Sequence, residues 1–221
     1  GQNENTAWGF TNSMVDDVDF FIETLNPKNL NQYKHGGTWK DIEVIEETIP
    51  LKKGKDTTVV IRLTHHGPII SDIHPLLKDR NIAMSMAWTG HWVTTEMDAW
   101  VKLTTMRNWD DFTDGVKLFG VPGQNIVYAD VNGNIGWRPA VYVPIRREGF
   151  SMIPHPGDDP AFDWKGQVPF EDMPFLYNPD KGFISTANNR TIGNDFPYYI
   201  SGLWADPSRA ALIKKRLENL N

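Results

Sequence analysis

Thr6, Trp8 and Phe10 alternate with smaller or polar neighbours, the period of two expected of a half-buried strand. Residues 16–21 follow, acidic and then apolar. Two stretches rich in β-branched residues, 42–49 and 57–64, flank the Lys-Lys-Gly-Lys run at 52–55, and together they predict a hairpin. In residues 81–88 the large Ile82, Met84, Met86 and Trp88 alternate with the small Ala83, Ser85 and Ala87, which predicts a strand buried on both faces.

The helical period appears twice. Residues 108–120 place Phe112, Val116 and Phe119 on one stripe, with Asn108 as N-cap and Gly120 as terminator. Asp206-Pro207 opens a second helix carrying Ala210, Ile213, Leu217 and Leu220 on one face. Between them, residues 125–145 read as a hairpin whose Asn132-Gly133 suits a type I′ turn. Residues 149–179, rich in Pro, Gly and Asp, predict a long ordered surface excursion. Many strands with few, well-spaced helices give an α+β class. There is no internal repeat and no low-complexity segment.

The length of 221 residues fits one large domain or a tightly joined pair, and 40% hydrophobic residues suffice for a core. Nine Trp and eleven Phe supply core, and also material for an apolar pocket. A net charge of −6 without a basic block leaves no electrostatic footprint for nucleic acid. The absence of cysteine excludes disulfides, thiolate metal sites and a thiol nucleophile. No run approaches the ~20 apolar residues of a membrane span. The chain opens on Gly1 with residues that already read as strand, and is expected to be an internal piece or a processed chain.

Three places carry candidate chemistry. Asp16, Asp17 and Asp19 crowd three carboxylates into four residues, an oxygen-rich set suited to a hard cation such as Ca²⁺, or else a solvated acidic turn. Gln124-Asn125 precede an apolar run, where a side-chain amide can donate to a developing oxyanion or satisfy turn backbone. His65-His66-Gly67-Pro68 is expected to be a strand ending in a turn, because adjacent residues on a strand point to opposite faces and cannot share a metal. The serines show no G-x-S-x-G elbow, and Gly1 cannot act as a nucleophile.

The segments GQNENTAWGFTN, VDDVDFF, THHGPII, QNIVYADVNGNIGW with VPIR, WKGQVPF, STANNR and ISGLWADPSRA, in this order, resemble the β-subunit of the penicillin acylase family. The likeness runs from Gly1 to about Leu217. It implies part of a four-layer αββα N-terminal nucleophile hydrolase sandwich with two antiparallel sheets. It also implies an amidohydrolase whose nucleophile is an N-terminal Ser some tens of residues upstream of Gly1, freed by precursor cleavage and using its own α-amino group as base. By the same resemblance Asn125 stabilises the oxyanion, Asn12 offers a backbone N–H to it, and Arg146, with Arg147 next to it, lies near the nucleophile. Asp16, the Val18 carbonyl and Asp19 match structural Ca²⁺ ligands, with Asp130 as a further candidate. Phe10, Phe20, Trp88 and Trp92 are candidates for an apolar acyl pocket. Gly1-Gln2-Asn3 departs from the family's usual Gly-His-Asn.

The implied partners are an α-subunit, the remainder of the β-subunit and a small N-acyl amide substrate, and the implied compartment is periplasmic or secreted. The chain alone is expected to be inactive, to bind Ca²⁺ poorly, and to self-associate through exposed sheet edges. The reading from another class is a non-catalytic carbohydrate- or peptide-binding β-domain; a third is a catalytically dead relative kept for structure.

Overall fold

The computed structural model describes residues 1–147 and 152–220. Its contacts divide the chain into two compact units. The first comprises Gly1–Asp17, Trp92–Ile145 and Gly166–Asn221, the second Val18–His91 and Arg146–Lys165.

The first unit is built on a four-stranded sheet. Gln124–Asp130 lies at its centre, antiparallel to Thr6–Asn12 on one side and to Ile135–Ala140 on the other, with the short Leu176–Tyr177 beyond. Two helices, Glu96–Thr105 and Trp109–Val116, pack on it. Their Ala99, Leu103, Phe112 and Val116 join Ile126, Tyr128 and Ala140 of the sheet in one core. Asn108 caps the second helix as expected, its side chain accepting from the Asp111 N–H at 2.9 Å. Gly136 has no side chain because Trp109 lies where a Cβ would stand, 2.0 Å from its ring. A second core gathers Val141, Val143, Val168, Met173 and Ile200.

The predicted type I′ turn is instead a three-residue loop, 131–133. Gly133 takes φ +86° while Asn132 keeps a negative φ, and the Gly133 N–H donates to the Asp130 carbonyl at 3.1 Å. Asp130 imposes this form. Its Oδ1 accepts from the Asn132 and Asn134 N–H groups, and its Oδ2 from Tyr128 Oη and Asn134 Nδ2.

In the second unit Val18–Glu23 pairs antiparallel with Ala83–Trp88, and His155–Pro156 adds a short parallel edge. The predicted hairpin is Glu43–Ile49 against Thr57–Thr64, extended by Gly67–Pro68. Leu25–Asn26, Asn29–His35 and Thr38–Asp41 form a third sheet. The two antiparallel sheets expected thus resolve, among the described residues, into four sheets, one of them with a parallel edge.

Ala83–Trp88 is buried on one face only. Ala83, Ser85 and Ala87 are the buried members, while Ile82 is 40% and Trp88 36% exposed. The register gives the reason: these small residues lie opposite Glu23, Phe21 and Asp19, whose side chains fill the space. The Pro- and Gly-rich stretch is less superficial than expected. Among its described residues, Val168 and Met173 enter the core, and Asp163 and Trp164 make polar contacts in the second unit. Residues 149–151 of that stretch lie outside the described ones.

Phe112 is fully buried in the first core. Phe112→Ala is expected to lower unfolding free energy by about 3–5 kcal/mol, read from urea unfolding, because removal of a buried ring leaves a cavity the helix cannot close.

Candidate active site

Asn125 and Asn12 come together in the first unit. Asn12 ends the edge strand and pairs with Gln124, which places Thr11 directly opposite Asn125. Asn125 is wholly buried. Its Oδ1 accepts from the indole N–H of Trp137 at 3.0 Å. Indole is a donor only, so this bond fixes which end of the amide is oxygen and turns the NH₂ away from Trp137. The NH₂ then faces the other strand, 3.3 Å from the Asn12 carbonyl and 3.4 Å from Thr11 Oγ1. Both contacts are longer than the usual range for such bonds, so the amide hydrogens are weakly engaged.

A second amide is set by the same logic. Arg209 Nη2, another obligate donor, donates to Asn188 Oδ1 at 2.7 Å and to the Ala187 carbonyl at 2.9 Å. Asn188 Nδ2 therefore faces the Asn12 carbonyl and donates to it at 2.9 Å. Asn188 adopts φ +61°, the left-handed region that Asn tolerates better than most residues. Two of the segments that carry the resemblance, STANNR and ADPSRA, thus meet at Asn12. Beside them Asn125 and Ser13 line a cavity of about 10 Å³ with Val15, Met173, Ile200 and Trp204. That is room for about one water-sized atom and none for an acyl chain.

Arg146 and Asp19, assigned separate roles from the sequence, form one buried ion pair in the second unit. Arg146 Nε donates to Asp19 Oδ2 at 2.8 Å, with side chains 6% and 1% exposed. The indole N–H of Trp164 donates to the same oxygen, and the Arg146 guanidinium lies 5.7 Å over the Trp164 ring. Asp19 Oδ1 is buried with no hydrogen-bond partner among the described residues. Asp16 belongs to the first unit, where its Oδ2 accepts from Tyr199 Oη at 2.9 Å and its N–H donates to the Ile200 carbonyl. Asp130, at the hairpin, has its carboxylate taken up by the four local donors described above. Of the aromatic candidates, Phe10 is 53% exposed and contacts Trp100, Trp92 lies in the first unit, and Phe20 and Trp88 belong to the second.

His65 and His66 overturn the expectation that they diverge. They occupy the turn after Thr57–Thr64 rather than the strand, so strand alternation does not apply, and their ring centres are 3.8 Å apart. Both face Asp163: His66 Nε2 lies 3.1 Å from Oδ1 and His65 Nε2 3.6 Å. His66 Nδ1 lies 2.9 Å from Glu23 Oε1, which also accepts from Ser85 and Thr64. Burial pushes the Glu23 carboxyl up, but the hydrogen bonds from His66 and Ser85 and the His66 charge outweigh it and hold it below the ordinary 4.5. Burial, then the neighbouring His66 and His35, push His65 down to about 4.

The whole chain, residues 1–221, matches the penicillin amidase family, and the chain belongs to that family. It is 35% identical over 221 residues to the penicillin G acylase of Escherichia coli, an alignment covering 99% of this chain and 25% of that protein. It is 28% identical over 211 residues to the acyl-homoserine lactone acylase QuiP of a Pseudomonas fluorescens strain, covering 95% and 26%. Among solved structures it is similar to a thermostable penicillin G acylase from Alcaligenes faecalis, with TM-score 0.81 and 27% identity over 97% of this chain and 39% of that one. The α+β class expected from the sequence is the one found, and its fold is that of the N-terminal nucleophile hydrolases. The chain spans about a quarter of the length of these curated relatives.

Trp137→Phe keeps the ring but removes the N–H that Asn125 Oδ1 accepts. It is expected to cost about 1–3 kcal/mol of stability, measured by chemical unfolding, because a buried acceptor is left unmet. The pH dependence of stability should show two steps. His65 binds its proton more weakly folded than unfolded, so its contribution is complete above about pH 6.5 and is lost as pH falls toward about 4. Glu23, with its folded value depressed, loses its contribution only as pH falls below 4.5. Urea midpoints followed from neutral to acid pH should show His65→Gln flattening the upper step alone.

Proposed function

We propose that the protein to which this chain belongs hydrolyses the amide of a small N-acyl substrate through an acyl-enzyme on an N-terminal Ser encoded upstream. The Ser hydroxyl oxygen attacks the amide carbon while the Ser α-amino group takes its proton. That amino group then returns the proton to the leaving amine as the C–N bond breaks, and water cleaves the acyl ester by the same route. A free α-amine suits both transfers because its ordinary pKa lies near 8, close to working pH.

In this reading the Asn125 NH₂ and the Asn12 backbone N–H donate to the carbonyl oxygen as it becomes an anion. What supports it most is the Trp137–Asn125 bond, which holds a buried NH₂ aimed and only weakly engaged, at the end of the strand that carries Asn12. A pre-aimed donor in a water-poor site needs little reorganisation when the charge forms. Arg146, paired with Asp19, acts on the surroundings of the nucleophile rather than on the substrate. The names of the relatives offer penicillins and acyl-homoserine lactones as the substrate classes to try first. On this reading the nucleophile lies outside this chain, and the chain by itself is proposed to be inactive.

A structural Ca²⁺ is proposed in the second unit at Asp19 Oδ1 and the Val18 carbonyl. Asp19 Oδ1 fits a cation, being a buried carboxylate oxygen without a hydrogen-bond donor. Because Arg146 already neutralises the other oxygen, the remaining charge must come from further carboxylates, and the chain alone should bind Ca²⁺ weakly. Calorimetry is expected to show tight binding to the full-length protein, lost in Asp19→Asn, and weak binding to the chain alone. The periplasm or the exterior is the proposed compartment.

Asn125→Ala in the full-length, processed protein is expected to lower kcat by about 10²–10³ with KM little changed. A kcat within about threefold of the parent on an N-acyl amide would remove Asn125 from the reaction.

A further inference from the structure

His35, His65 and Asp163 converge from three segments of the second unit: the end of Asn29–His35, the turn after Thr57–Thr64, and the residue that caps the 3₁₀ turn Pro160–Phe162. His35 Nε2 lies 2.9 Å from Asp163 Oδ2, and His65 Nε2 3.6 Å from Asp163 Oδ1. One ligand atom from each of the three residues falls within 4.8 Å of the others. Two ligands about 2.0–2.1 Å from a tetrahedral zinc ion stand roughly 3.3 Å apart. The observed 2.9 and 3.6 Å bracket that separation, so small side-chain adjustments would admit an ion.

We propose that this cluster is a site for a borderline divalent metal ion such as Zn²⁺, bound by His35 Nε2, His65 Nε2 and Asp163, with a fourth position left to water. The donor set decides the class. Two imidazoles and one carboxylate suit zinc and its first-row neighbours, whereas Ca²⁺ and Mg²⁺ take oxygen.

The surroundings already hold the ligands in the form a metal needs. Tyr33 Oη accepts from the His65 backbone N–H at 3.2 Å and stands 3.1 Å from His65 Nδ1. With the Nδ1 proton given to that hydroxyl, the Nε2 lone pair faces Asp163. On the buried side His66 stacks on Phe21 at 3.7 Å and is tied to Glu23, so it holds Asp163 in place from behind. The side chains of His35, His65 and Asp163 are 12%, 29% and 30% exposed, which leaves a path for an ion and its water.

The test uses full-length protein stripped with a chelator and titrated with Co²⁺, then Zn²⁺. The expected result is one equivalent of Co²⁺ giving the visible bands of four-coordinate nitrogen and oxygen ligation, displaced by Zn²⁺. The bands should vanish in the double variant His35→Gln/His65→Gln, persist in His74→Gln, and require about 10–100-fold more metal in Tyr33→Phe. Zinc-edge X-ray absorption on the unsubstituted protein, expected to count two imidazoles, covers the case in which a variant does not fold. Absence of a saturable cobalt spectrum, its survival in the double variant, or an absorption fit without imidazole would overturn the site.

Discussion

The indole N–H of Trp137 can only donate, and among the described residues it donates to Asn125 Oδ1. The pair is buried, so no water can take the place of either partner without cost. The bond gives the Asn125 amide a single orientation and ties the two arms of the hairpin together across a diagonal, since Asn125 stands opposite Pro139 and Trp137 opposite Val127. Arg209 does the same for Asn188 from a distant part of the sequence. Two amides are thus aimed at the Asn12 carbonyl by side chains that cannot themselves accept. The proposed oxyanion role of Asn125 depends on this arrangement, because a rotated amide would present oxygen to an anion.

The second unit turns on two carboxylates of one strand. Asp19 and Glu23 flank Phe21 on the buried face of Val18–Glu23, and the small Ala87, Ser85 and Ala83 opposite make room for them. Each is met by cationic or hydrogen-bonding groups from elsewhere in the chain: Asp19 by Arg146 and Trp164, Glu23 by His66, Ser85 and Thr64. Burying a carboxylate without such partners would cost several kcal/mol. The Pro- and Gly-rich stretch supplies Trp164 and Asp163, so its described part serves the buried polar network as well as the surface.

Local pattern carried much of the fold. The alternation of Thr6, Trp8 and Phe10 and the β-branched runs about the lysine turn correspond to elements found, and so does the first part of the Phe112–Val116–Phe119 stripe: the helix ends at Val116, short of Phe119 and Gly120, although Phe119 still joins the core. Glu96–Thr105 escaped notice because Met97 and Val101 are exposed, leaving only Ala99 and Leu103 as a two-residue buried stripe. The turn at Asn132-Gly133 was legible as a turn but not in type, since Asp130, outside the dipeptide, sets its form. His65 and His66 were misplaced by one assumption, that the strand continues through them. Asn125, Asn12, Arg146 and the acidic run were legible only through resemblance. Trp137 had a signal in principle: once the hairpin register is known, it falls on the same face as Asn125. Asn188 and Arg209 had none beyond their motifs, because their meeting is tertiary.

The most direct test of the account is a crystal structure of the full-length protein carrying a tetrahedral adduct, such as a phosphonate bonded to the nucleophilic Ser. The account predicts an adduct oxygen within hydrogen-bond reach of Asn125 Nδ2 and the Asn12 N–H, with Trp137 still donating to Asn125 Oδ1. An adduct oxygen held by other groups, with Asn125 still turned to Thr11 and Asn12, would contradict it.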